Sequence, residues 1–542
     1  MLAAPLSKLF QNLSLSLVCL LVPALPVLAD AVDYRNQVIS IALTQEPPQL
    51  NSMLATDQIS GFVLGHIQEG LLRYDADNRL APAVAEHWEL GAEGATFWLR
   101  QEARWSDGKP VTAHDFVFAW RNTVDPATGS EYASILYPLK NAEAINRGDQ
   151  AVESLGVQAL DDHTLEVRFE KPTPYFLGLT AFPSFFPVRE DFYRSRGARY
   201  AADADDLLFN GPFKLSAWVH GASLRLEKNE HYWDRDRIRL NRIEVPYITS
   251  ETRSLFNLFK DDKIVLAGLD SETLQDALKQ RYPIRKFSDG SVFYLEFNHR
   301  PGHATANKAL RQAIQAIYDP AELVNKVIAL PGYRPGRSLF PLWLGGVERR
   351  FRQEYPAPVV QPDPEQAQRY LAQAKQELGV EALPPLVLLT DNSPGAAKQA
   401  EYLQSLFKTR LGLDLRIDRQ TFKQRLAKMT AGDFDIVAAG WGPDFDDPIT
   451  FGDLFASWNE NNRGRYNNPE YDRWVRVAQT SSDPRQRMDA MARLQTIIIE
   501  DVVILAQYER GLVYVQHPRL EGLVRRVIGT DPDFSGARVI QP

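Results

Sequence analysis

FDIVAAGWGPDFDDP, residues 434–448, decides how this chain is read. An apolar run, Ile436 to Ala439, stops at Gly-Trp-Gly-Pro and meets three acids, Asp444, Asp446 and Asp447. A near-continuous apolar run of this kind predicts a central strand buried on both faces. In open α/β sheets, ligands bind outside the carboxyl ends of such strands. Here that position holds an indole, Trp441, between Gly440 and Gly442, followed by the acids. The two glycines would let another backbone approach closely. Asp447 precedes Pro448 and reads as the N-cap of a following helix, with Pro448 at its first position. Asp446 reads as solvated. Asp444 has no local capping duty and is the candidate ligand-facing carboxylate.

Working backward from that strand, the pattern is strand, helix, strand, helix. Asp363 caps a helix that starts at Pro364, buries Ala367, Leu371, Ala374 and Leu378 on one face, and ends at Gly379. An apolar strand follows at Leu386 to Leu389, then a helix at 396–410, a strand at Leu413, Leu415 and Ile417, and a helix at 421–431. This alternation predicts a largely parallel, doubly covered sheet. The first third is more mixed. Gln37 to Leu43, residues 95–100 and Thr164 to Phe169 alternate as strands. Asp115 to Arg121 reads as a short helix behind Thr112, and Ser106-Asp107-Gly108 as a tight turn. Trp98, Trp105, Trp120 and Phe116 read as core.

At 542 residues one core is unlikely to suffice, so at least two lobes are expected. The net charge of -8 argues against nucleic acid as a partner, because phosphate binding needs a cationic face. The N-terminal run LVCLLVPALPVLAD, broken by Pro23 and Pro26, reads as a secretory signal cut after Ala29. It carries the single cysteine, Cys19, so the mature chain has no thiol for a disulfide, nucleophile or metal site. Scattered histidines and the absence of HExxH, G-x-S-x-G and Walker patterns give no catalytic residue, no metal site and no cofactor. The D-x-D-D spacing lacks the glycine and distant glutamate of an EF-hand loop.

Several blocks resemble the extracytoplasmic solute-binding proteins of oligopeptide and dipeptide ABC transporters (solute-binding protein family 5). They are EGLLRYDADNRLAPAVAEHW at 69–88, FWLRQEARWSDGKPVTAHDFVFAWRNTVDP at 97–126, GVQALDDHTLEVRF at 156–169, NGPFKL at 210–215, and AGWGPDFDDP itself. The resemblance implies an α/β, two-lobed flytrap with an extra inserted subdomain. Lobe I would comprise 30–58, 189–289 and 508–542, the insert 59–188, and lobe II 290–507. It also implies a monomeric periplasmic receptor, not an enzyme. That receptor captures peptides by β-strand addition between the lobes and delivers them to an ABC permease in the inner membrane. Asp444 matches the aspartate that takes the peptide ammonium. Gly440 and Gly442 match the backbone edge that pairs with ligand, with Trp441 between them. Glu46 matches an acid on the facing lobe, and Tyr132 a tyrosine near the ligand N-terminus. Arginines and a histidine that receive the ligand carboxylate in enterobacterial members are replaced by Ala438, Met429 and Ala396. Arg425 and Lys428 are the nearest substitutes, although both read as a solvated helix face. Pro47 and Pro48 remove two donors from the facing edge. A non-peptide cationic solute or metal chelate, and a secreted hydrolase, are the rival readings.

Overall fold

The computed structural model describes residues 30–541; the expected secretory signal and Cys19 lie outside the described residues. Three sheets organise the chain. The first has five strands in the order Val32–Asp33, Val38–Leu43, Arg242–Ile248, Ser223–Lys228 and Phe213–Val219. Its core includes Ile39, Phe213, Leu240 and Ile243. The second is a four-stranded antiparallel sheet in the order Ala85–Leu90, Gly94–Leu99, Thr164–Arg168 and Val157–Asp161. Against it packs the helix Ala113–Val124, whose Thr112 N-cap is the predicted one and is closed by Asp115 as a capping box, although the helix runs longer than expected. Trp105, Trp120 and Phe116 are buried as predicted. Trp98 is only half-buried, because it lies on the outer face of its strand and stacks on His87.

The third sheet carries the opening stretch. Its order is Leu266–Gly268, Ile504–Gln516, Arg285–Phe297, Ile436–Trp441, Leu386–Asp391 and Leu415–Gln420, with Arg334–Pro335 paired to Ile504–Gln516 off this path. The predicted largely parallel sheet is corrected here. Only Leu386–Asp391 runs parallel to its two neighbours. The remaining pairings, those of Arg285–Phe297 and Ile504–Gln516, are antiparallel. The reason is that these two 13-residue strands enter the sheet from outside the βαβ segment. Near their middle, where the register shifts between Ser288 and Val292, Arg510 pairs with Asp289.

The helices of that segment form where caps and periodicity place them. Pro364–Leu378 starts behind the Asp363 cap and ends on left-handed Gly379; Ala367, Leu371 and Ala374 are buried, but Leu378 is exposed on the last turn. Pro394–Leu411 and Phe422–Ala431 follow, the latter capped by Thr421. The apolar core does not divide at the sheet boundaries. Phe176 and Phe185 from the early part share one cluster with Phe340, Phe451 and Tyr471 from the later part.

Candidate functional site

Ile436, Val437 and Ala439 are buried, which fixes the strand between Arg285–Phe297 on one side and Leu386–Asp391 on the other. Pairing to Leu386–Asp391 covers only Ile436 and Val437. From Ala438 onward that edge of the strand is open to another partner. A Cβ on Gly440 would lie 2.8 Å from the Phe293 ring, and one on Gly442 would strike the Gln58 amide nitrogen at 2.0 Å. Each glycine thus sits against a side chain of this chain, Phe293 at Gly440 and Gln58 at Gly442.

After Trp441 the chain turns, and the Asp444 backbone N–H donates to Thr450 Oγ1 at 3.1 Å. The Asp444 carboxylate accepts a 2.6 Å hydrogen bond from Tyr132 Oη, 312 residues earlier in the chain. The Trp441 ring meets the Tyr132 ring edge-on at a centroid distance of 5.8 Å, and Phe182 does the same from the other side. Structure thus brings Asp444, Trp441 and Tyr132 together. Asp444 lies deep in the molecule yet keeps some accessible surface. Burial, with a smaller push from Asp453, raises its carboxyl to about 7 against the lowering hydrogen bonds from Tyr132 and Thr450. Asp453 is itself pushed up to about 7, chiefly by burial. The indole Nε1 of Trp441 is buried and has no acceptor among the described residues.

The other acids of the motif have different duties. Asp447 does accept from the Ile449 N–H at 3.0 Å, in the manner of a cap. The helix it serves is only Ile449–Gly452, however, and both its carboxylate oxygens take Arg487, at 2.8 and 2.9 Å. It is a buried ion pair that neutralises one charge close to the site, more than the simple cap that was expected. Asp446 is exposed, as predicted. Glu46 is not part of the cluster. Its carboxylate is held on its own sheet by Trp218 Nε1 at 3.0 Å, His220 Nδ1 at 2.8 Å and the Gly221 N–H at 2.9 Å. These donors lie on one hairpin, so Glu46 braces that hairpin and presents no free charge.

Three features escaped sequence reasoning. Arg425 is not on a solvated face; it reaches back to donate to the Ala438 carbonyl at 2.6 Å. Lys428 is half-exposed and pairs with Asp418 and Asp433. The second is Asp453, and the third Gln58, which bonds Ser291 Oγ at 3.4 Å and Arg510 at 3.1 Å directly over Gly442. Helical spacing could have flagged Arg425, because it stands one turn before the buried Met429.

Contacts that join the early and late parts of the chain are numerous. Glu131 holds Arg463 at 2.7 Å and Thr430 at 3.0 Å, and Glu143 holds Arg476 at 2.6 Å. Gln45 accepts from the Phe422 N–H at 2.9 Å, Lys398 pairs with Glu272 at 2.9 Å, and Tyr175 stacks on Phe445. Among the described residues, no helix is long and apolar enough to cross a membrane, and no cluster of three His, Cys, Asp or Glu side chains could hold a metal.

Comparison with known proteins agrees with this architecture. The chain is 31% identical to the oligopeptide-binding protein OppA of Bacillus subtilis over 497 residues, 90% of each chain. It superposes on the peptide-bound OppA of Listeria monocytogenes with a TM-score of 0.88 at 31% identity, covering 94% of this chain and 100% of that one. The Escherichia coli murein tripeptide binding protein MppA gives 0.83 at 27% identity, covering 94% and 99%; its unliganded open form gives 0.62, covering 95% and 99%. The fit falls on going to the open form, in keeping with the contacts that join the early and late parts of this chain. Residues 79–463 match the profile of bacterial extracellular solute-binding proteins, family 5 (middle part), and the chain belongs to that family.

Proposed function

We propose that this chain is a periplasmic receptor that captures peptides between two lobes and hands them to an ABC import permease. The observation that carries the reading is the Asp444 carboxylate. It lies deep between the early and late parts of the chain, is joined to Tyr132 from the early part, and has no cation of its own among the described residues. A buried carboxylate without a partner is costly, and an ammonium from the ligand relieves that cost. The open strand edge beyond Val437 supplies main-chain acceptors and donors, which bind an extended peptide without reading its side chains. The buried indole N–H of Trp441 adds a donor suited to a ligand carbonyl. Supporting the cargo class, relatives of this chain are named for oligopeptides, and one solved structure is described as bound to peptide.

In this reading the lobes are 30–58 with 189–289 and 508–542, and 290–507, with 59–188 as an insert that carries Tyr132. The leader is removed after Ala29, and the mature protein acts as a monomer, without catalysis. Isothermal titration with free and N-acetylated peptides tests the anchor: acetylation is expected to abolish tight binding, and equal affinity would remove Asp444 from its role. Native mass spectrometry of the purified protein tests the cargo. A retained mass that is not a peptide would favour a different solute on the same fold.

A further inference from the structure

Glu131 and Tyr132 are consecutive, and both side chains reach from the early part of the chain into the late part. Tyr132 Oη donates to Asp444. The Glu131 carboxylate commits both oxygens to the late part: one accepts from Arg463 Nη2 at 2.7 Å, the other from Thr430 Oγ1 at 3.0 Å. On its own side the segment is tied down one residue earlier, where Ser130 Oγ donates to the Met53 carbonyl at 2.7 Å. Arg463 is 4% exposed, and Glu131 is its only ion-pair partner among the described residues. Its Nη1 meets Thr430 Oγ1, and its Nη2 also faces Asn461 Oδ1 at 3.4 Å. Glu296 acts on Arg463 only from longer range, with its own carboxylate bonded to the Gly464 N–H. A buried guanidinium without a carboxylate is costly, so the late part needs Glu131 in place. The contact joins residues 332 positions apart, so in the two-lobe reading it exists only while the lobes meet.

We propose that Glu131 is a positioning residue: by gripping Arg463 and Thr430 it holds Tyr132 on Asp444, so the seat for the ligand's ammonium is assembled only on closure, and this grip sets how long a bound peptide stays. The inference rests on the peptide reading and adds what keeps the cargo in place. The lever is short. Adjacent Cα atoms are about 3.8 Å apart, so a fixed Glu131 leaves the Tyr132 ring little room to swing off Asp444. The ring is also held edge-on between Phe182 and Trp441, which leaves the hydroxyl one direction to point while the grip lasts. Because the grip forms once the lobes have met, it acts on release of the ligand and not on its entry. Arg463 supplies the charge and Thr430 the aim, from two different elements of the late part.

The test is stopped-flow tryptophan fluorescence over a range of tetra-alanine concentrations, which separates association from dissociation. Wild type, Glu131→Gln, Glu131→Asp, Thr430→Val, Tyr132→Phe and the double variant Glu131→Gln/Tyr132→Phe are compared, with thermal melting of each unliganded protein as the folding control. Glu131→Gln is expected to raise the dissociation rate about tenfold, the scale of one charge-assisted hydrogen bond, and to leave the association rate within about twofold. Glu131→Asp keeps the charge and should recover part of the loss. Thr430 is exposed, so Thr430→Val reads the same grip with little risk to the fold, and should raise the dissociation rate about two- to threefold. Since Glu131 acts through Tyr132, adding Tyr132→Phe to Glu131→Gln should change the rate by less than about twofold, although Tyr132→Phe alone raises it several-fold. An unchanged dissociation rate in both Glu131→Gln and Thr430→Val overturns the proposal. So does a loss confined to association, or full additivity with Tyr132→Phe, which would make Glu131 an independent brace. Wild type that binds no tetra-alanine sinks the peptide reading and this assignment with it; tight binding by wild type with unaltered release in the variants sinks the assignment alone.

Discussion

Replacing Asp444 by Asn separates the charge from the shape of the site. Asn keeps an oxygen that can accept from Tyr132 Oη, so the 2.6 Å contact and the edge-on packing of Trp441 survive. The carboxylate charge does not. Removing one partner of a desolvated ion pair costs about 3–5 kcal/mol, which at about 1.4 kcal/mol per decade is two to three orders of magnitude in affinity for a free peptide. The unliganded protein should respond in the opposite direction. Asp444 is held at about 7 in the folded chain, chiefly by burial, against about 3.9 in an unfolded one. Its folded-state pKa is raised, so ionisation penalises the fold, and the penalty grows from about pH 4 and is complete above pH 7. At pH 8 the penalty is at most about 4 kcal/mol. For a chain of this size that is roughly 4 °C in melting temperature at the upper limit. Titration calorimetry and thermal melting at pH 8 give both readouts: Asp444→Asn should bind free peptides far more weakly and melt higher. A variant that binds like wild type, or one that loses binding and melts lower, would refute the reasoning.

Other expectations concern pH and packing. Peptide affinity should fall as pH drops from 7 to 5, by up to about a hundredfold, because Asp444 must give up its proton to meet an ammonium; a flat profile by titration would contradict this. Gly442→Ala should melt within about 1 °C of wild type, since the Cβ meets the flexible end of Gln58 and the Ser291 hydroxyl, but it should release ligand faster in stopped-flow by breaking the Gln58 bridge to Ser291 and Arg510. Gly464→Ala should instead destabilise the fold by about 1–3 kcal/mol, because its Cβ would sit 2.2 Å from the Phe297 backbone carbonyl; denaturant melts distinguish the two. Arg487→Met strands the buried Asp447 and should cost about 3–5 kcal/mol in the same assay.

The fold was legible where local chemistry writes it. The Asp363 cap, Pro364 and Gly379 set a helix to the residue, and the apolar run at Ile436 announced its strand. Pairing direction was not legible. Nothing in FDIVAAG says that its neighbour is Arg285–Phe297, because register depends on partners far along the chain. For the site, Asp444 stood out by lacking a local role, while Tyr132 entered only through resemblance: no pattern links two residues 312 positions apart. Glu46 was misread because its three donors lie on the hairpin around residues 218–221, out of reach of local spacing. Arg425 was misread because a lone arginine among Lys423, Gln424 and Lys428 looks solvated until the helix is docked.

The most direct test is a crystal structure of the chain with a tetrapeptide whose two ends are free. The ligand ammonium is predicted within about 2.7–3.2 Å of the Asp444 carboxylate, with its backbone paired along Gly440 to Gly442. A ligand whose nitrogen lies elsewhere, leaving that carboxylate bonded only to the Tyr132 hydroxyl, would contradict the account.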